Sequence, residues 1–145
     1  MNITVRHCDL FKSGRNVLVH CISRDCAMGA GIAKTFDRKY PQMKSSILAF
    51  MNQEHLSYPT AVEYKANNAV VINMVTKPRY FSKPTYDTFR RSLEVVKKIC
   101  IKNGYMQIAM PKIGCGLDKL CWSRVSGIIY EVFKDTDIDI LVCVK

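Results

Sequence analysis

The chain has 145 residues, 48% of them hydrophobic, and a formal net charge of +10 at pH 7. This length fits one domain, with enough apolar residues for a core that needs no disulfide or metal. No apolar run reaches the roughly 18–20 residues of a membrane span, which excludes a membrane-spanning protein, and the charge surplus favours an anionic partner.

The first half of the chain predicts four strands and two helices. In chain order these are strands at 3–6 and 17–22, helices at 30–40 and 42–51, and strands at 61–65 and 69–75. The polar pair Asn67-Asn68 separates the last two strands, and it predicts a hairpin turn between them.

The second half alternates between helix and strand. Helices are predicted at 84–103 and 122–134, and strands at 106–110 and 138–144. This alternation predicts parallel strands with helical crossovers, and the mostly apolar strands indicate helices on both faces of the sheet. We therefore predict an α/β fold, a three-layer α/β/α sandwich around a mixed sheet of about six strands, in one domain over residues 1–145.

The seven cysteines lie at positions 8, 21, 26, 100, 115, 121 and 143. Their odd number and the lack of a Cys-x-x-Cys pair argue against a closed disulfide framework and a zinc ribbon. With no apolar leader at the N-terminus, we expect an intracellular, reducing compartment. Cys115 has no evident histidine–acid partner and His20 lies in an apolar strand, so we interpret both as packing residues rather than catalysts.

Three loops follow the carboxyl ends of predicted strands, where open α/β sheets bind their ligands. They span residues 23–31, 76–83 and 111–118. The first contains Gly29-x-Gly31 and the third Gly114-x-Gly116. Because glycine lets the backbone approach a phosphate closely, the two loops predict a diphosphate held from two sides. Each loop alone also fits an ordinary tight turn, since no Walker sequence or complete dinucleotide fingerprint is present.

Several motifs together resemble those of a macrodomain. They are His20-Cys21-Ile22-Ser23, Cys26-x-Met28-Gly29-Ala30-Gly31-Ile32-Ala33, Val75-Thr76-Lys77, Lys83-Pro84-Thr85-Tyr86 and Met110-Pro111-Lys112-Ile113-Gly114-Cys115-Gly116-Leu117-Asp118. The chain is most similar to the branch of terminal ADP-ribose protein glycohydrolase, which includes antitoxin macrodomains that remove ADP-ribose from DNA. The similarity extends from Ile3 to Lys145.

The resemblance implies a pocket for ADP-ribose. Asp9 matches the adenine-contacting aspartate of the family, with Leu10 as the backbone contact beside it, and the strand that ends at Lys145 would flank the adenosine. The residues expected near the distal ribose are Ser23, Gly29, Ala30 and Gly31. Those expected around the diphosphate and that ribose are Lys112, Ile113, Gly114, Cys115, Gly116 and Leu117.

The resemblance also implies a catalytic pair, because Lys77 matches the family's catalytic lysine and Asp118 its catalytic aspartate. It implies that the lysine amine attacks C1″ of an ADP-ribosyl ester whose distal ribose has opened to an aldehyde. Asp118 would shuttle protons and, with water, release ADP-ribose from the adduct. This mechanism needs no cofactor and no metal. Without the resemblance, Lys77 fits a surface lysine and Asp118 a helix cap.

The resulting expectation is a monomeric hydrolase that acts on ADP-ribosylated proteins, with mono-ADP-ribosyl glutamate and aspartate esters as substrates. O-acetyl-ADP-ribose, ADP-ribose 1″-phosphate and ADP-ribosylated DNA are further candidate substrates. Two alternatives remain open. A non-catalytic reader would bind ADP-ribose without cleaving the conjugate, and a basic nucleic-acid-binding domain would bind unmodified DNA or RNA with a steep salt dependence.

Overall fold

Six strands form one mixed sheet in the computed structural model, which describes residues 1–145. The strands are β1 (Asn2–His7), β2 (Val17–Ser23), β3 (Thr60–Lys65), β4 (Val70–Lys77), β5 (Gln107–Met110) and β6 (Asp139–Val144). The helices are α1 (Gly31–Lys39), α2 (Met43–Gln53), α3 (Tyr86–Asn103) and α4 (Trp122–Phe133), and a short 3-10 turn spans Leu10–Lys12. The predicted order of strands and helices is confirmed.

The strand order across the sheet is β1-β6-β5-β2-β4-β3. All neighbouring strands are parallel except β3 and β4, which form the predicted antiparallel hairpin. At its turn, the backbone N–H of Ala66 donates to the carbonyl of Ala69 at 2.8 Å. The carboxyl ends of β2, β4 and β5 therefore lie side by side at one edge of the sheet.

Helices cover both faces of the sheet, which confirms the three-layer sandwich. Consecutive residues of β4 point to opposite faces, so Val71 packs in the core with α1 and α2, and Ile72 packs in the core with α3 and α4. Phe36 lies in the core beneath α1 and α2, Phe89 lies in the core beneath α3 and α4, and both are fully buried. This double burial explains why the central strands are apolar on both faces. No helix of the chain has the length and apolar character needed to cross a membrane.

Strand β4 extends two residues beyond its predicted end at Val75. Thr76 and Lys77 continue the strand because β2 also reaches one residue further, so that Ser23 pairs with Lys77 after an irregularity in register. The main chain is held there by the N–H of Arg24, which donates to the Lys77 carbonyl at 2.9 Å. Lys77 is therefore fixed by the sheet rather than carried on a loop.

Candidate functional site

A long cleft runs along the edge of the sheet where the parallel strands end. It consists of two adjoining cavities, of about 830 Å³ and about 480 Å³. We call the larger one the Lys77 cavity and the smaller one the Asp9 cavity, after a residue that lines each. Both are lined by Gly31, Ile32, Pro111 and Lys112, so they form one elongated site. Volumes of this size are those of ligand pockets in proteins.

Lys77 and Asp118 meet in the wall of the Lys77 cavity. The Lys77 Nζ donates to Asp118 Oδ1 at 2.6 Å, and each side chain is only 12% exposed. Lys77 is held at the end of β4, whereas Asp118 comes from the loop between β5 and α4. Such a short contact between charged groups is a strong hydrogen bond. A proton can pass directly between the amine and the carboxylate in this geometry.

The loop after β2 is tied to the loop after β4 by Asp25. Its Oδ1 accepts from the Ser23 hydroxyl and, at 3.2 Å, from the N–H of Ala27, while its Oδ2 accepts from the N–H of Tyr80 at 3.0 Å. Burial of the Asp25 carboxyl opposes its ionisation. The three donors and the nearby Arg79 outweigh that effect, so the pKa of Asp25 lies below its ordinary value.

Asp25 does not appear among the residues predicted from the sequence. The signal that could have found it is its position two residues after Ser23, at the start of a loop with two glycines. An aspartate there commonly accepts from the N–H two residues further on, as Asp25 does from Ala27. Its contact with Tyr80, in contrast, joins loops that are distant in sequence.

The two glycine loops approach each other closely across the Lys77 cavity. At Gly31, whose φ is +61°, an added Cβ would lie 3.3 Å from Cδ1 of Leu117. At Gly114, with φ +76°, an added Cβ would lie 3.0 Å from Cδ1 of Leu120. A side chain at either position would be strained by its backbone and crowded by a leucine. The loop after β5 is also tied to Lys83, whose Nζ donates to the Leu117 carbonyl at 2.7 Å.

The Asp9 cavity lies where β1 and β6 end. Asp9 caps the short 3-10 turn there, because its Oδ1 accepts from the N–H of Phe11 at 2.9 Å. Leu10 is almost fully buried beneath it, and Cys8, Cys143 and Lys145 complete this end of the lining. Lys112 lies between the two cavities, and its Nζ is 5.6 Å from the ring centre of Trp122.

The structure brings almost all of the residues predicted for binding and catalysis onto this one cleft. The Lys77 cavity is lined by Ser23, Gly29, Ala30, Gly31, Lys77, Lys112, Ile113, Gly114, Gly116, Leu117 and Asp118, and the Asp9 cavity by Asp9, Leu10, Gly31, Lys112 and Lys145.

Cys115 is the predicted residue that lies outside the cavity lining. Its backbone N–H donates to the Lys112 carbonyl at 3.2 Å, and its thiol donates to the Ile113 carbonyl at 3.5 Å. Burial raises the pKa of the Cys115 thiol, and the side chain packs against the core beneath α3 and α4. The backbone N–H and the thiol of Cys115 thus both donate within the loop, and neither is directed into the cavity.

Comparison with known protein families gives one match, to the model described as the Macro domain, over residues 19–129. Two curated relatives carry the name ADP-ribose glycohydrolase OARD1. The one from Bos taurus is 48% identical over 125 residues, which cover 86% of this chain and 79% of the bovine protein. The one from Homo sapiens is 44% identical over 135 residues, which cover 92% of this chain and 86% of the human protein.

Solved structures show the same fold at lower identity. The macrodomain of Mycobacterium tuberculosis DarG superposes with a TM-score of 0.89 at 21% identity, over 97% of this chain and 96% of that one. Thermosipho africanus DarTG in complex with ADP-ribose has a TM-score of 0.88 at 18% identity, over 99% of this chain and 42% of that one.

Proposed function

Because the chain belongs to the macrodomain family, we propose that it is an ADP-ribosyl hydrolase that releases ADP-ribose from mono-ADP-ribosylated glutamate and aspartate esters. It is a homologue of proteins named ADP-ribose glycohydrolase over most of its length, and this supports the general activity. The linkage and the chemical route are inferred from the residues of the Lys77 cavity.

The observation that carries the proposal is the contact between Lys77 Nζ and Asp118 Oδ1 at 2.6 Å in the cavity wall. A lysine amine becomes a nucleophile once it has lost a proton, and Asp118 is placed to accept that proton. The neutral amine then displaces the acyl group directly at C1″ of the closed distal ribose, without the prior opening to an aldehyde that the family resemblance implies. The bond from C1″ to the acyl oxygen breaks, and the carboxylate leaves with the electron pair and takes up the proton held by Asp118, so that Asp118 can act as a base again.

Release of the product reverses the roles of the pair. The lysine adduct opens to a Schiff base between Nζ and C1″, and a water molecule gives a proton to Asp118 as its oxygen adds to C1″. The proton then passes back to Nζ when the C1″–N bond breaks, which frees ADP-ribose and restores Lys77. Both steps use the same hydrogen-bonded pair, so the mechanism calls for no other acid or base.

The length and charge of the cleft support ADP-ribose as the bound part of the substrate. The Asp9 cavity takes the adenosine and the Lys77 cavity the distal ribose, while Lys112 between them supplies a cation for the diphosphate. In the loop after β5, the N–H groups of Ile113 and Cys115 already donate to carbonyls of the same loop. Those of Gly116 and Leu117 are left for the phosphate oxygens.

The partners we propose follow from this chemistry. The substrate is an ADP-ribosylated protein and the product is ADP-ribose, and the catalyst is a monomer because one chain supplies both Lys77 and Asp118. The odd number of cysteines, with no Cys-x-x-Cys pair, favours a reducing compartment.

Replacing Lys77 tests the covalent route. K77A removes the nucleophile but leaves the rest of the cleft, so we expect hydrolysis of an ester-linked conjugate to fall by roughly 10³-fold or more. Binding of free ADP-ribose, measured by calorimetry, should persist. K134A is the matched control, since Lys134 also pairs with a carboxylate, Glu131, but lies on the exposed surface after α4. Unchanged turnover in K77A would reject the covalent role.

The linkage is tested by incubating the protein in parallel with ester-linked, serine-linked and DNA-linked ADP-ribose, and by scoring released ADP-ribose. Release from the ester-linked substrate supports the proposal. Binding of all three without release from any would instead identify a non-catalytic reader. Faster release from DNA than from the ester would identify ADP-ribosylated DNA as the preferred substrate.

A further inference from the structure

Two thiols meet at the Asp9 cavity, whose lining includes neither Lys77 nor Asp118. The sulfur atoms of Cys8 and Cys143 lie 2.9 Å apart, although the residues are 135 positions apart in the chain. Cys8 directly follows β1, and Cys143 is part of β6. The two strands are paired here, and the N–H of Cys8 donates to the carbonyl of Val144 at 3.1 Å. Cys143 is the register partner of Arg6, so Cys8 lies two residues further along, and the paired backbones hold the two sulfurs close together.

The two thiols differ in exposure. Cys143 is buried, with 6% of its surface exposed, whereas Cys8 is half-buried, and both line the Asp9 cavity. Burial raises the pKa of the Cys143 thiol to about 12, and the neighbouring Cys8 contributes to this shift. Cys8 is therefore the side chain that a small oxidant reaches first, while Cys143 is positioned as the second thiol.

Among the seven free cysteines, this is the one pair whose sulfur atoms contact each other. Closing a disulfide requires the two sulfurs to approach to about 2.05 Å, which is a small movement from their present separation. The adjacent cavity supplies a path for the oxidant. The two sulfurs are thus close together, are held by paired strands and can be reached by an oxidant through the cavity.

We propose that Cys8 and Cys143 form an oxidisable dithiol that closes to an intramolecular disulfide with a peroxide as oxidant. The Cys8 thiolate attacks one oxygen of hydrogen peroxide, which breaks the O–O bond and gives a sulfenic acid and hydroxide. The sulfur of Cys143 then attacks the Cys8 sulfur, the S–O bond breaks, and water leaves with the Cys143 proton. Two thiols and one peroxide become one disulfide and two water molecules.

The disulfide would join the first and last strands beside Asp9. This places the oxidised pair in the lining of the cavity to which we assign the adenosine, so bound ADP-ribose should shield the thiols from the oxidant. The shielding rests on the proposed function, whereas formation of the disulfide does not.

The test is to treat the reduced full chain with hydrogen peroxide, alkylate the remaining thiols and map the peptides by mass spectrometry. We expect one cross-linked peptide that contains Cys8 and Cys143 and disappears on reduction. The midpoint of thermal unfolding should rise by about 10 °C, because the bond closes a long loop. C8S and C143S should each abolish the cross-link. Because Cys8 is only half-buried, C8S should fold even if the substitution of the buried Cys143 does not, and the test stays valid.

Cys121 supplies the internal control. Its thiol is exposed. Hydrogen bonds from the Ser123 side chain and from the backbone of Ser123 and Arg124 lower the pKa of Cys121. Cys121 is therefore the main competitor for the oxidant. C121S should keep the cross-link between Cys8 and Cys143. Oxidation of Cys121 alone, with Cys8 and Cys143 both still open to alkylation, would overturn the proposal. If saturating ADP-ribose does not slow the cross-link, the proposal of an oxidisable dithiol stands. The assignment of the adenosine to the Asp9 cavity is then contradicted.

Discussion

His20 lies in the middle of β2 with its ring fully buried. Its Nε2 is hydrogen-bonded to Asn73 Oδ1 at 2.7 Å, and the ring stacks on Phe36 with centres 3.9 Å apart. Burial lowers the pKa of His20 to about 4, and the bond to Asn73 only partly offsets this. The ring is therefore neutral at physiological pH, in agreement with its interpretation as a core residue.

This buried ring predicts a loss of stability in mild acid. The unfolded chain takes up a proton at His20 below pH 6.5, whereas the folded protein does not until about pH 4. The free energy of unfolding should therefore fall as the pH falls through this window, by about 3 kcal/mol in total. Urea unfolding between pH 7 and pH 4 measures it.

The variant H20Q should lack this component of the pH dependence, because glutamine does not titrate. H7Q is the control, since His7 is exposed and should leave the profile as it is. Identical profiles for the parent protein and H20Q would show that other groups cause the loss.

At Asp118, the proposed mechanism predicts a trapped intermediate. D118A removes the group that takes a proton from Lys77 and later from the attacking water. The Schiff base on Lys77 should therefore form more slowly, with the lysine proton lost to solvent, and should then persist. Reduction with borohydride should give a stable adduct, detected by mass spectrometry as one ADP-ribose on the peptide that contains Lys77. The double variant K77A/D118A should give no adduct. A D118A protein that hydrolyses esters normally without any adduct would contradict the role of Asp118 in release.

At the scale of whole elements, the cleft depends on loops that are held by a few polar contacts. Asp25 fastens the loop after β2 to the loop after β4, and Lys83 fastens the latter to the loop after β5. The loop after β4 then leads into α3, whose first turn is capped by the reciprocal hydrogen bonds of Thr85 and Thr88. Each of these bonds limits how far the loops beside Lys77 can move.

Loss of the Asp25 contacts should therefore affect catalysis as well as stability. D25A removes the acceptors for three donors, and we expect the free energy of unfolding to fall by about 1–2 kcal/mol. Because the loops beside Lys77 are released, kcat should fall more than the affinity for ADP-ribose. D87A is the control, since Asp87 belongs to an exposed ion pair with Arg91. Normal kcat in a destabilised D25A protein would limit Asp25 to a structural role.

The element boundaries show what the sequence can predict and what it cannot. The apolar strands and their alternation with helices are local patterns, and they predict the order of strands and helices correctly. The end of β4 is not local, because Thr76 and Lys77 are polar and extend the strand only by pairing with the end of β2. The contact between Asp25 and Tyr80 likewise depends on two loops that meet only in the folded chain.

For the molecule as a whole, alternation of helix and strand predicts the layers but not the neighbours of each strand. The pairing of β1 with β6 joins residues near opposite ends of the chain, and no local pattern encodes it. That pairing forms the Asp9 cavity and brings Cys8 to Cys143. The motifs could thus indicate Lys77 and Asp118 as a pair, whereas the thiol contact could be found only from the strand order.

The position of Lys112 over Trp122 has a practical consequence, since the chain contains a single tryptophan. A diphosphate that draws Lys112 away from the indole will change its emission, so intrinsic fluorescence should report occupancy of the cleft without any label. We expect a saturable change on titration with ADP-ribose, and K112A should reduce it. Constant emission at concentrations where calorimetry records binding would disprove the link. The fluorescence of Trp122 then allows the affinities of candidate ligands, including unmodified DNA, to be ranked without a label.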